Sequence, residues 1–209
     1  MTAALSEATP SAAVAAPRSR YSSVAIAFHW LIAALILTNI GLAWYVETLK
    51  GSEAAAPLML HKSIGITVLI LSVLRLGWRL AVPAPKLPDY LKGWERLAAQ
   101  TVHVIFYVLM IGLPLSGWAW VSASPLIKVH PTVLYGVIHW PAIPYPGLDS
   151  DQLHAARQGF ELTHKTLAKI AYVTIALHVG AALKHQFIDR DDIVARMIPI
   201  LRRKGAGAA

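Results

Sequence analysis

Four histidines stand inside long apolar stretches of this chain: His29, His61, His164 and His178. Imidazole binds metals and carries protons near neutral pH. An ionisable group at bilayer depth is costly and usually functional. His164 and His178 are fourteen residues apart. At about 3.6 residues per turn that is nearly four whole turns, so both rings share one helix face, about 21 Å apart along the axis. Ala168, Ala171 and Ile175 lie between them on that face, Ala181 and Ala182 follow, and Gly65 lies one turn beyond His61. Such small side chains leave room for a flat macrocycle.

The chain has no cysteine. That excludes disulfides, thiolate ligation, iron–sulfur clusters and covalent c-type haem attachment. Any haem must then be held by histidine or methionine. If the chain crosses a bilayer back and forth, His29 opens the first apolar segment at the depth where His178 closes the last. His61 opens the second at the depth of His164. Two levels with two imidazoles each suit two stacked b haems on a helical bundle. Zinc or copper would ask for three or four ligands at one level.

The elements that position these residues are legible in the hydropathy. The chain has 209 residues, is 56% hydrophobic and only 14% charged, with a mean hydropathy of +0.53. Apolar stretches cover about 24–46, 61–80, 97–121 and 162–187. Each is long enough to cross a hydrocarbon core of roughly 30 Å as a helix. The expected fold is an all-α, four-helix membrane bundle. Residues 1–20 form an Ala-, Ser- and Pro-rich tail expected to be disordered, residues 21–200 hold the bundle, and 201–209 are a basic tail. The connection 122–161 carries Pro125, Pro131, Pro141, Pro144 and Pro146, which argues against long helices there. A lid over the outer level, a docking surface and a plain structured cap all remain open for it.

The net charge of +8 does not point to nucleic acid, because the basic residues flank the apolar segments. Thirteen Lys and Arg residues fall on the side of the termini and the 81–95 connection, against five on the other. That excess places both termini in the cytoplasm, with the lipid bilayer as the first partner. Trp44, Tyr45, Trp78, Trp118 and Trp120 stand near span ends, as an aromatic belt does.

Other residues are secondary candidates. Arg75 and Arg79 share one face of the second span and are suited to pair with haem propionates. Lys169 lies inside the fourth span, where propionate pairing and snorkelling are the two readings. Lys62 and Lys165 each follow an outer histidine and add positive field at that mouth. His103 lies in the third span with no partner left at its level. His185 comes seven residues after His178 and would suit proton transfer to a quinone head group at the inner level. Tyr21 and Ser22 share that depth. Nothing in the spacing of His130, His139 and His154 favours a metal site.

The segments RYSSVAIAFHWLIA, LHKSIGITVLILSVLRLGWRL and LTHKTLAKIAYVTIALHVGAALKHQF, followed by MIPI, resemble the bacterial cytochrome b561 family. The resemblance runs in order over residues 20–200. It implies a four-helix bundle of the inner membrane with two b haems, their axial ligands at the positions matching His29, His61, His164 and His178. It also implies electron exchange between the quinone pool, ubiquinone included, and a periplasmic redox partner. Some members are similar to superoxide oxidase, which takes electrons from superoxide and has a positive outer mouth; Lys62, Lys165 and Lys169 are the candidates here. The 122–161 connection looks extended relative to the shortest members, which bears on whether the donor is superoxide or a docked protein. A haem-free transporter or scaffold is the distant alternative, and the absence of internal repeats speaks against it.

Overall fold

The computed structural model describes residues 20–201. The two expected tails lie outside the described residues, except at Arg20 and Leu201. Helix α1 spans Ser23–Thr48, α2 Ala55–Ala81, α3 Gly93–Ser122 and α4 Ser150–Leu183. A short hairpin, β1 Val133–Leu134 and β2 Ile138–His139, sits between α3 and α4. All four helices are long and apolar enough to cross a membrane.

Local chemistry accounts for the helix starts. Ser22 caps α1, its Oγ accepting from Ala25 N–H at 3.2 Å and also from the Trp78 indole at 3.1 Å. One hydroxyl thus satisfies an orphan amide of α1 and ties it to the far end of α2. Pro57 falls in the first turn of α2, where its missing N–H costs little. Helix α4 begins twelve residues before the apolar stretch that announced it, at Ser150 rather than about 162. The cause is a capping box: Asp149 accepts from Asp151 and Gln152 amides, and Gln152 returns a bond to Asp149 N–H at 3.2 Å. The first three turns of α4 are polar, so a hydropathy reading passes over them.

Helix α1 packs on α2, α2 on α3 and α3 on α4. Ile32, Ile64, Val68 and Met110 form the common core. Packing within a bilayer gains little from the hydrophobic effect, so helices approach through small residues and satisfied hydroxyls. Ser63 and Ser72 are fully buried, and Ser63, Thr67, Ser116 and Thr174 donate to carbonyls of their own helices.

One end of the bundle is closed by the segment after α4. Six residues, Lys184–Asp189, form a π-helical turn that ends at Arg190 with φ +55°. Met197 then accepts the Trp30 indole N–H at 3.0 Å, and Arg196 donates to Lys86 O at 2.7 Å. The start of α1, the α2–α3 connection and the C-terminal segment therefore meet at this end. The opposite end carries the 123–149 connection.

Candidate functional site

At the end of the hairpin, a cavity opens between the four helices. It is lined by His61 and Gly65 of α2, His164, Ala168 and Ala171 of α4, and apolar residues of α1 and α3. The His61 and His164 rings face each other with centroids 6.3 Å apart. A metal–imidazole bond of about 2 Å, plus a ring radius of about 1 Å, on each side would place two trans ligands about 6 Å apart. His61 Nδ1 lies 3.1 Å from Asn39 O, and His164 Nδ1 lies 3.0 Å from Leu113 O and 3.2 Å from Ser116 Oγ. A carbonyl can only accept, so each Nδ1 carries the proton and each Nε2 keeps a free lone pair. That is the state in which an imidazole binds a metal. The small lining residues and the two imidazoles with free Nε2 lone pairs fit a haem.

Gly117 of α3 makes this seat. A Cβ at that position would stand 3.0 Å from His164 Cε1 and 3.1 Å from its Nδ1. The ring of Trp120 packs 5.9 Å from that of His164, and Lys165 Nζ sits 5.9 Å above the Trp120 ring. Lys165 also pairs with Glu161 at 2.6 Å, so its charge is partly matched at this mouth. Lys62 and Lys169 have no ion-pair partner among the described residues; Lys62 is half-buried and Lys169 exposed.

At the other level the His29 and His178 rings stand 6.2 Å apart. Sequence reasoning left His103 without a partner, but the structure puts its ring 6.5 Å from His178, so this level has three histidines. His29 and His178 make no hydrogen bond among the described residues. Burying an unpaired imidazole is costly. A metal between His29 and His178 would remove that cost. Phe106 closes one side, its ring 5.2 Å from His178.

Below this level a second cavity is lined by Tyr21, Ser22, Arg75, Arg79, Gln100 and His103, among others. Arg75 and Arg79 have no acidic partner among the described residues. Two unpaired guanidinium groups on one wall suit a carboxylate-bearing or otherwise electron-rich ligand. Ser22 is already occupied as a cap and as the Trp78 acceptor. His185 does not line this cavity: its Nδ1 lies 2.8 Å from Asp191 and 3.2 Å from Asp189. Asp189 also pairs with Lys184, which reaches Glu95 of α3 at 3.3 Å. Sequence reasoning missed this network, although the spacing of His185, Asp189 and Asp191 would have suggested it. Among the described residues it is the one cluster of histidine and carboxylates close enough to share an ion, and His130, His139 and His154 form none.

Comparison with known proteins bears on what this scaffold is. The family described as prokaryotic cytochrome b561 matches residues 20–199. Cytochrome b561 homolog 2 of Escherichia coli K12 is 34% identical over 184 residues, covering 86% of this chain and 91% of that protein. The probable superoxide oxidase CybB of Yersinia pestis is 28% identical, over 86% and 96% of the two chains. Cytochrome b561 homolog 1 of Escherichia coli K12 is 27% identical, over 89% and 99%. With a family match over nearly the whole described bundle, and with two close histidine pairs inside it, this chain belongs to the prokaryotic cytochrome b561 family of haem b membrane proteins of electron transport.

Proposed function

We propose that this protein is a dihaem b cytochrome of the bacterial inner membrane that moves electrons between the quinone pool and a periplasmic redox partner. His61 and His164 would hold the outer haem, His29 and His178 the inner one. The observation that carries this reading is the pair of facing imidazoles at each level, 6.3 and 6.2 Å apart, the outer two oriented by carbonyls. When bound, the haems supply reversible one-electron chemistry, which the protein positions and tunes. Arg75 and Arg79 would pair with propionates of the inner haem, and their charge favours the reduced form. The same cavity, with Tyr21 and Ser22 on its wall, is the proposed place for a quinone head group. His185 pairs instead with Asp189 and Asp191 and is not among the residues lining that cavity. The excess of Lys and Arg at the termini end supports a cytoplasmic place for that cavity.

The direct test is the haem-to-protein ratio of the purified protein with its oxidised and dithionite-reduced spectra, for the natural chain and for His178→Ala. Two haems falling to about one supports the paired map. No haem, or two haems unchanged by the substitution, rejects it. Membership of a haem b family already leaves the haem-free transporter or scaffold without support.

A superoxide-oxidising role has one specific observation in its favour: Lys62 and Lys169 are unpaired cations on the outer half of the bundle, as an anionic donor would require. Superoxide-driven quinone reduction in vesicles, weakened by salt and by Lys62→Gln with Lys169→Gln, supports it. No quinone reduction on superoxide addition rejects it.

A further inference from the structure

Residues 129–148 carry no Asp, Glu, Lys or Arg, although they belong to a connection outside the spans. A water-exposed connection of twenty residues would ordinarily be charged somewhere. The hairpin in this run also reaches far along α2. Tyr135, at its turn with φ +52°, places its hydroxyl 2.7 Å from Thr67 Oγ1. The Thr67 hydroxyl donates to Ser63 O at 2.9 Å, so the tyrosine is the donor. Thr67 is six residues past His61 on α2, which is about 9 Å deeper along the helix. The turn backbone lies against Ser63, two residues past His61, and the tyrosine side chain reaches on to Thr67, so the tip lies beside α2 and not above its end.

The turn amides of this tip all find acceptors. Val133 pairs with His139 and Leu134 with Ile138. Val137 N–H donates to Leu134 O at 3.0 Å, and Gly136 N–H points to Val133 O at 3.4 Å. The turn amide left over, Tyr135 N–H, donates to the buried Ser63 Oγ at 3.0 Å, while Ser63 itself donates to Met59 O. Non-helical backbone is tolerated at bilayer depth only when such groups are paired. Val137, 79% exposed, and Ile138, 57% exposed, face away and are apolar, with the exposed His139 next in the strand. They continue the exposed apolar surface of α2, formed by Ile70, Val73 and Leu74. Nearer the end of the bundle, Trp118 and Trp140 pack ring to ring at 5.5 Å, where an aromatic belt belongs.

We propose that the 133–139 hairpin is a re-entrant element that inserts its tip into the acyl chains of the outer leaflet, clamped to α2 by Tyr135. Its partner is lipid, not a periplasmic protein. The idea is independent of which histidines bind haem. Because the chain lacks cysteine, a single nitroxide can be placed at will on the full-length holoprotein in phosphatidylethanolamine–phosphatidylglycerol vesicles. Val137→Cys and Ile138→Cys are the test positions, Leu74→Cys the lipid-facing reference and Lys128→Cys the reference at the edge of the uncharged run. The expected result is collision with oxygen several-fold above collision with a water-soluble nickel chelate at 137 and 138, as at 74. Nickel access matching position 128 would overturn the proposal and leave the hairpin as a surface for a soluble partner. In the Val137→Cys background, Tyr135→Phe should sharpen the nitroxide line while leaving the haem spectrum unaltered. An unchanged line would refute the clamp.

Discussion

Gly117→Ala probes the outer site through one methyl group. The new Cβ would stand 3.0 Å from His164 Cε1 and 3.1 Å from Nδ1. Carbon atoms prefer about 3.5–4.0 Å, so the ring must retreat by about half an ångström or more. It is not free to do so, because Nδ1 is held by Leu113 O at 3.0 Å and Ser116 Oγ lies beside it. Retreat stretches that bond toward the limit of a hydrogen bond and turns Nε2 away from His61. Overpacking of this kind costs about 1–3 kcal/mol, or about one to two orders of magnitude in haem affinity. Gly112→Ala is the control, since its Cβ would meet nothing nearer than Leu167 at 3.8 Å. Haem content and low-spin electron paramagnetic resonance signals of the two variants decide the matter. Gly117→Ala should lose or shift one signal, with Gly112→Ala unchanged. A Gly117→Ala protein with full haem content and unshifted signals would show that His164 is not held as argued.

The inner level separates by substitution: His29→Ala should lose one haem, whereas His103→Ala should keep both, as counted by haem-to-protein ratio, because the His29 ring stands nearer to His178, at 6.2 Å against 6.5 Å. Arg75→Gln should lower the midpoint potential of one haem by tens of millivolts in a redox titration, since removing a nearby cation favours the oxidised form. Asp149→Ala should cost about 1 kcal/mol by removing the α4 cap, seen as a lower thermal midpoint with both haems still bound. Glu161→Gln breaks a largely exposed pair with Lys165 and should change stability by less than about 1 kcal/mol in the same melt.

The four spans and the two histidine levels were legible because both depend on regular geometry. A run of apolar residues measures the bilayer, and fourteen residues on a helix measure the gap between levels. His103 was not legible: depth alone gave it no partner, and its approach to His178 depends on how α3 is rotated against α4. Gly117 was not legible either, because its value lies in a ring on another helix. The polar start of α4 is hidden from hydropathy, though Asp149 and Gln152 spell a capping box that a search for helix starts would find. The hairpin tip escaped because its anchors, Ser63 and Thr67, are distant in sequence and look like ordinary buried hydroxyls.

Both histidine levels draw one residue from α4, a single uninterrupted helix of 34 residues. The interval between them is therefore a property of helical rise and owes nothing to any connection. Lengthening, shortening or exchanging the segment before Asp149 alters what the outer end meets, yet leaves that interval untouched. One residue inserted between His164 and His178 would instead swing the second ring by about 100° out of the bundle. Variation is thus cheap at the rim and forbidden along the rod, so such a scaffold can change its outside partner without retuning its interior.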